Sequence, residues 1–384
     1  MKAMKNLFTL LAVSVLALGA IAGERAPRVP QHRDVVYQAK RAVAQDIASM
    51  LTDVSFQDSL NQRLADTDSV SMGELLADYQ SRLGASSAKA RHIMDTDLEV
   101  RTWKGTAQLS NGLMQVRLVR PEGDNGELDL ASMLVAFEPR GEDKDWTTIE
   151  AFDAMGNLHT LDAKVRPNFP ILIADLDSRE DLRAGIALAN EMLVAAGMQK
   201  PVVQGADQRA GKACSGINTA KLTYIRVDDD QEPWIKGKAE MFAFVSGIDP
   251  SIADPEIKVV DLPYLDHDDT NYYPNQLVIY WYQYRYNTVN MTFYEHDDGT
   301  NYQEVLSAVI SGVRTILGVF APEYAIIAEV ANAILNAMPG SWFTDDDDYV
   351  DSVYTIDEDE IGSGKTFNGA GGNVHMTLKN YCLN

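Results

Sequence analysis

The spacing of apolar residues changes along the chain, and this change limits the possible folds more than any other feature. At the start, apolar residues such as Val36, Ala39 and Val43 recur at helical spacing, and two further runs of this kind follow up to about residue 84. From 98–103 onward, strand-forming residues alternate or cluster between Gly, Asn, Asp and Pro. The sequence therefore predicts an α+β protein, with helices and a β-rich region first and a C-terminal β-sandwich after them.

The same patterns divide the chain into five predicted segments. These are a signal peptide (1–22), an N-terminal helical region (23–96), a β-rich domain with a closing helix (97–202), a linker (203–220) and an acidic β-sandwich (221–384) with a helical hairpin at 303–338. The hairpin is almost continuously apolar, but Arg314, Glu323 and Glu329 interrupt it and its segments are short. We therefore expect it to pack on the sandwich as a pair of core helices, not to insert into a membrane.

The first residues have the pattern of a secretory signal. Lys2 and Lys5 form a basic start, residues 7–20 are apolar, and Ala20 and Ala22 form a small-residue cleavage site. The mature chain is expected to begin near Gly23. The apolar run is too short for a permanent anchor, and no later segment reaches membrane-spanning length without a charge. The prediction is a secreted or periplasmic protein that is not an integral membrane protein.

The charge balance bears on possible partners. The formal net charge is −23, which argues against nucleic acid because its phosphates require clustered Lys and Arg. From Lys221 to the end there are 27 Asp and Glu against 9 Lys and Arg, so most of the excess acidity lies in the C-terminal half. Solubility in a salty medium is the simplest alternative explanation for this acidity.

Cys214 and Cys382 are the two cysteines of the chain. An even number of cysteines in an oxidising compartment favours a disulfide, and this pair lies at the two ends of the acidic half. We expect the bond to tie the last strand to the start of its domain. In the chain-entropy model, closing so long a loop stabilises the fold by at most about 5 kcal/mol.

Acidic runs in the loops of the predicted sandwich suggest a calcium site. The candidate ligands are Asp228, Asp230 and Glu232 on one loop, and Glu295, Asp297, Asp298 and Asn301 on another. Carboxylates held a few ångströms apart repel each other, and a bound cation removes that cost. Oxygen ligands without Cys and with few His favour calcium over zinc or copper. The alternative is that these loops are solvated and hold no metal. We assign no role to the two other acidic runs, at 266–269 and 345–348.

These residues also resemble a known module. A strand followed by Glu295, Asp297 and Asp298 is similar to the third calcium loop of the lipid-binding β-sandwich of protein kinase C and synaptotagmin. Asp228 and Asp230, with Glu232-Pro233-Trp234, stand where that family has its first loop. The resemblance covers about 222–384 and implies calcium at one end of a sandwich. It departs from the family in having Glu where Asp is usual, a shorter first loop and an inserted helical hairpin.

A broader resemblance spans most of the chain. The signal peptide, the helical start and the motifs Glu232-Pro233-Trp234, Asp261-Leu262-Pro263-Tyr264 and Asp345–Asp348 are similar to an uncharacterised family of secreted bacterial proteins. That resemblance implies no established activity.

No complete catalytic motif is present in the sequence. His267 and His296 each lie inside an acidic run, and we interpret both as exposed turn residues, with a catalytic or metal-binding role as the alternative. The function predicted from sequence is a secreted calcium-binding module with a binding or structural role, whose partner is a cell-surface glycan or lipid. The alternative is a calcium-stabilised secreted hydrolase, which requires a deep pocket with a carboxyl group or histidine of perturbed pKa.

Overall fold

A computed structural model places the segment His32–Asn384 in one compact unit. The structure describes residues 33–141, 145–199, 214, 216–228, 234–237, 240–248, 255–267, 269–284, 286–296, 298–316, 330–336 and 349–383. The predicted signal peptide and the acidic run 345–348 lie outside the described residues. The expected α+β class is confirmed, with helices first and sheets after them.

Four helices form the first part: α1 (Arg33–Met50), α2 (Val54–Leu64), α3 (Met72–Leu83) and α4 (Ala88–Lys104). Their ends follow local sequence signals. The Asp53 carboxylate caps α2 by accepting from backbone N–H groups, and the Ser87 hydroxyl does the same for α4. Gly84 and Gly105 end α3 and α4 in the left-handed conformation, which glycine adopts without steric cost.

The strand predicted at 98–103 is wrong, because these residues belong to α4. The buried face of α4 is partly polar, with Asp97, Arg101 and Lys104 on it, so its helical period is not visible in the apolar residues alone. The Asp97 carboxylate pairs with Arg101 at 2.7 Å and accepts from the backbone N–H groups of Leu113 and Met114. These contacts fix the end of α4 against the first long strand.

Six strands form the first sheet: β1 (Ser69–Ser71), β2 (Met114–Val119), β3 (Val135–Ala136), β4 (Thr148–Phe152), β5 (Leu158–Asp162) and β6 (Ile171–Leu176). Their order is β1-β2-β6-β3-β4-β5. The central strand β6 pairs antiparallel with β2 and parallel with β3, and all of its residues are buried. The N-terminal helices cover one face of this sheet, and helix α5 (Ser178–Ala195) follows β6 directly.

Two four-stranded sheets form the C-terminal part. Their strands are β7 (Ile217–Val227), β8 (Met241–Ile248), β9 (Pro255–Asp261), β10 (Gln276–Tyr280), β11 (Thr288–Glu295), β12 (Tyr349–Asp357), β13 (Lys365–Asn368) and β14 (Val374–Leu383). The sheet orders are β10-β7-β14-β13 and β12-β11-β8-β9. Residues such as Ile225 and Met376 of one sheet share a core with Val245 and Phe293 of the other, which makes this part a sandwich.

The outer face of the second sheet is covered by helices. Alternate residues of β8 and β11, Phe242, Phe244 and Tyr294, share a cluster with Val309 of α6 (Tyr302–Ile316) and with the helical residues 330–336. The described parts of the predicted hairpin therefore pack on the sandwich, while its middle, with Pro322, lies outside the described residues. No helix in the described ranges has the length and apolarity needed to cross a bilayer.

The expected disulfide is present. Cys214 and Cys382 are joined with an S–S distance of 2.05 Å and a Cα–Cα distance of 5.5 Å. Cys382 lies in β14, which pairs antiparallel with β7 along most of its length, so the bond closes the end of a strand pair that the backbone already forms.

Candidate functional site

Ionisable side chains from both halves of the chain meet in the interior. We define the buried ionic centre as Lys40 (α1), Lys104 (α4), Arg117 (β2), Glu138 (after β3), Asp175 (β6), Asp181 (α5), and His296 and Asp298 (after β11). Each residue is placed by a separate secondary-structure element or its adjoining loop, except His296 and Asp298, which share one loop. The centre therefore depends on the complete fold and not on any local motif.

Lys40 lies between three carboxylates. Its ammonium group donates to Asp298 Oδ2 at 2.6 Å, to Asp175 Oδ1 at 3.0 Å and to Glu138. Arg117 holds the second oxygen of Asp175 at 2.9 Å. Burial lowers the pKa of Lys40, but the carboxylates raise it more, and the result lies well above the ordinary value. Lys40 is therefore a permanent buried cation.

Lys104 fixes the loop that carries Asp298. Its ammonium group donates to Asp181 Oδ2 at 2.6 Å and to the backbone carbonyls of Asp298 at 2.6 Å and Thr300 at 3.2 Å. The side chains of Lys104 and Asp181 are completely buried. Burial raises the pKa of Asp181, but Lys104 and His296 together lower it below the ordinary value, so this carboxylate is ionised.

His296 connects the two lysine-centred groups. Its Nδ1 is hydrogen-bonded to the Tyr302 hydroxyl at 3.1 Å, and its Nε2 lies 3.1 Å from Asp181 Oδ2 and 3.6 Å from Asp298 Oδ1. Burial lowers the pKa of His296, but the Asp181 carboxylate raises it more, so it lies above the ordinary value.

Other carboxyl groups at the centre are weaker acids than usual. Burial raises the pKa of Glu138 to about 7, against the opposing effect of Lys40. Burial also raises the pKa of Glu240, near His296, to about 7, and it raises the pKa of Asp298. These groups retain protons at a pH where exposed carboxyl groups are fully ionised, because burial disfavours their charged forms.

The family described as "Protein of unknown function (DUF3103)" matches residues 40–384. The chain belongs to this family. No curated protein and no solved structure matches it. The match to DUF3103 begins at Lys40 and so includes every residue of the buried ionic centre.

In this DUF3103 member the predicted calcium ligands are distributed over several places. Asp298 lies at the buried ionic centre, and Glu295 is buried at the end of β11. The Asn301 side chain accepts from the backbone N–H of Glu304, where it begins α6. Asp228 forms ion pairs with Arg226 at 2.9 Å and His375 at 3.2 Å. Asp230, Glu232 and Asp297 lie outside the described residues, so the convergence of the two loops stays a prediction.

One histidine differs from the expectation. His267 is exposed as predicted, with 60% of its side chain accessible, but the prediction that His296 is exposed is wrong, because only 1% of its side chain is accessible. The reason is that the loop after β11 turns inward against α4 and α5 instead of projecting from the end of the sandwich.

Sequence reasoning also missed Lys40, Lys104, Glu138, Asp175 and Asp181. Two of them carry a signal in the sequence. Lys40 follows Val36 by one helical turn on the apolar side of α1, and Asp175 interrupts the otherwise apolar strand 171–176. A charged residue at a position where the pattern requires an apolar one indicates a buried charge, and such a charge requires a partner.

Two groups of potential metal ligands occur within the centre. Ligand atoms of Glu138, Asp175 and Asp298 lie within 4.8 Å of one another, and so do those of Asp181, His296 and Asp298. The first group contains only oxygen ligands and surrounds the Lys40 ammonium. The second combines oxygen with an imidazole nitrogen, and Asp298 is common to both.

Proposed function

We propose that the protein is an exported, cation-binding module with a binding or structural role, and that its cation site is the buried ionic centre. The observation that carries this proposal is the convergence of Asp298 with carboxylates from the N-terminal half. Burial keeps the pKa values of Glu138 and Asp298 above the ordinary range. A divalent cation bound there would displace these protons and remove the repulsion between carboxylates.

Calcium is the first candidate ion, because the group Glu138, Asp175 and Asp298 offers only oxygen ligands. Calcium at this position has to exchange with the Lys40 ammonium, which already contacts all three carboxylates. We therefore expect weak binding, in the range of roughly 10⁻⁴ to 10⁻³ M that extracellular modules show.

Export is supported by two features. The first residues have the pattern of a signal peptide, and the disulfide between Cys214 and Cys382 is of a kind that persists in oxidising compartments and is rare in the cytosol. A cell-surface glycan or lipid remains the proposed partner.

A hydrolase is the second candidate, and one observation favours it. Glu138 and Glu240 have pKa values of about 7, which suits groups that exchange protons during catalysis. However, the cavity beside His296 has a volume of about 30 Å³ and a largely apolar lining, so it has room for a water molecule but not for a substrate. The residues that line this cavity include His296 but neither Glu138 nor Glu240. Incubation with a purified cell-surface glycan separates the two candidates, since a module retains the glycan unchanged and a hydrolase releases products.

Thermal melts with calcium and with chelator test cation binding. At tenfold excess over its dissociation constant, calcium adds about 1.4 kcal/mol to the free energy of unfolding. Asp298→Asn should abolish the difference between the two melts. Asp228→Asn is the matched control, because Asp228 pairs with Arg226 and His375 outside the centre and this variant should keep the difference.

The outcomes distinguish two places for calcium. Loss of the calcium effect in Asp228→Asn but not in Asp298→Asn would move the site to the loops predicted from sequence. Identical melts of the unmodified protein in calcium and in chelator, together with no heat of binding by calorimetry, would show that the centre is held by its own cations alone.

A further inference from the structure

We infer that Asp181, His296 and Asp298 form a zinc site with mixed nitrogen and oxygen ligands. This inference deepens the proposed cation binding and rests on it, because it names a second ligand group at the same centre and a different class of ion. Imidazole together with carboxylate suits zinc better than calcium, which prefers oxygen ligands alone.

The distances between the ligand atoms fit a zinc ion. His296 Nε2 lies 3.1 Å from Asp181 Oδ2 and 3.6 Å from Asp298 Oδ1. Ligand atoms bound to zinc at about 2.0–2.1 Å in a tetrahedron are separated by about 3.3–3.4 Å. The two observed distances lie on either side of that value, and the ligand atoms of all three residues lie within 4.8 Å of one another. A water molecule would complete a four-coordinate shell.

Each of the three ligands is held by a second residue, and for His296 and Asp298 this contact uses a different atom from the one that faces the proposed ion. The Tyr302 hydroxyl is hydrogen-bonded to His296 Nδ1 at 3.1 Å, which leaves Nε2 for a metal when Nδ1 carries the proton. Lys104 holds Asp181 through Oδ2, and Lys40 holds Asp298 through Oδ2, each at 2.6 Å. Outer partners of this kind orient the ligands of zinc sites in proteins.

An independent observation points to a missing partner at this place. Asp181 is completely buried, and within the described structure its Oδ1 accepts no hydrogen bond, although Oδ2 of the same carboxylate is bound to Lys104. A buried carboxylate oxygen without a partner is costly, and native structures rarely retain one. A metal ion bound to this carboxylate satisfies it.

The charge balance also allows a divalent ion beside the two lysines. Glu240 interacts electrostatically with His296 and Asp298, and it adds a fifth carboxylate to the four of the centre. Among the described residues of the centre the permanent cations are Lys40, Lys104 and Arg117, so the five carboxylates leave two negative charges when all are ionised. The nearby Arg179 is paired with Asp261 outside the centre. A divalent ion bound in place of the protons of these groups balances the two charges, and it leaves Lys40 in place.

The test uses the full mature protein after treatment with chelator, titrated separately with Zn²⁺, Ca²⁺ and Co²⁺. We expect one Zn²⁺ to bind per chain, and Co²⁺ in its place to give the visible absorption of a four-coordinate site. Binding of Ca²⁺ without Zn²⁺ would overturn this inference and leave the proposed cation-binding function intact. Binding of neither ion would overturn both.

Variants locate the bound zinc. His296→Gln should weaken zinc binding by more than about 100-fold, because it removes a ligand that the other two cannot replace. Tyr302→Phe retains all three ligands and should weaken zinc binding by about 10–100-fold, because the imidazole loses its outer partner. Melting curves establish that each variant is folded, and Tyr302→Phe keeps the test decisive if His296→Gln does not fold.

The matched control is His267→Gln, which removes an exposed histidine from another acidic run and should leave zinc affinity unchanged. If His267→Gln abolished zinc binding while Tyr302→Phe had no effect, the ion would be bound at the surface and the inference would be wrong.

Discussion

Two acidic regions of the C-terminal half have similar sequences and very different environments. The run around Asp298 turns inward, and its carboxylate meets the ammonium group of a lysine that is almost 260 positions earlier in the chain. The run around Asp266 and Asp269 remains at the surface, where the Tyr272 hydroxyl donates to Asp266 and Arg226 donates to Asp269. An acidic loop therefore becomes a candidate site through the residues it packs against. Its own composition does not decide this.

The energetic consequences of this difference follow from the dielectric environment. At the surface, water and salt screen each charge, so an ion pair contributes little. In the buried ionic centre, removing one partner leaves another charge without compensation, and such a charge is far more costly.

Lys40→Met should produce the largest loss of stability. The variant leaves Glu138, Asp175 and Asp298 in the interior without the ammonium group that contacts all three. Removing one partner from a buried ionic group costs about 3–5 kcal/mol. Urea unfolding measures the loss. The surface counterpart is Arg226→Met, which removes the partner of Asp228 and Asp269 and should leave the unfolding midpoint almost unchanged. Equal losses in the two variants would contradict the comparison.

Adding Asp298→Asn to Lys40→Met should restore part of the lost stability. The second change removes one of the uncompensated carboxylates, so the two substitutions should be coupled by roughly 0.5–3 kcal/mol in a double-mutant cycle. The cycle requires both single variants and the double variant, measured by urea unfolding in chelator. Strict additivity would show that Lys40 and Asp298 do not interact in solution, in spite of the 2.6 Å contact.

These residues also show how far sequence reasoning reaches. Helices α1, α2, α3 and α5, the sandwich and the disulfide were predictable, because each depends on a local apolar period or on the pairing of the two cysteines, whereas α4 was missed because its buried face is partly polar. The buried ionic centre was not, because Lys40, Asp175 and Asp298 meet only after α1, β6 and the loop after β11 have packed together. The acidic run after β11 was selected from sequence as part of a calcium site, which stays a prediction. Its partners were sought on the neighbouring acidic loop, and those shown by the structure lie in the N-terminal half.

Glu240→Gln should alter the pH dependence of stability by an intermediate amount. Burial raises the pKa of Glu240 to about 7 in the folded protein, from an ordinary value of 4.5. Between these two values the unfolded chain loses the proton while the folded protein retains it, so this group reduces stability as the pH rises. The free energy of unfolding of Glu240→Gln, relative to that of the unmodified protein, should therefore increase from about pH 5 to about pH 8.

Melts in chelator across this pH range measure the effect of Glu240→Gln. Glu122→Gln, at an exposed position, is the control, and its difference from the unmodified protein should not vary with pH in this way. A constant difference for Glu240→Gln would show that the Glu240 carboxyl is solvated in the folded protein.

The smallest change in stability is expected for Asp269→Asn. This change should depend on salt concentration, and that dependence tests whether the residue is exposed to solvent. Asp269 is exposed and adopts a positive φ of 49°, which asparagine tolerates as well as aspartate does, so the substitution changes charge without adding backbone strain. Its ion pair with Arg226 is accessible to water and salt, because both side chains are partly exposed. At about 1 M salt the screening length falls to about 3 Å, and the small difference in melting temperature between variant and unmodified protein should vanish. The difference caused by Asp298→Asn should persist at the same salt concentration, because salt screens buried charges much less than surface charges. A salt response shared by both variants would mean that Asp298 is as solvated as Asp269, and the distinction between a buried and a surface acidic loop would then be lost.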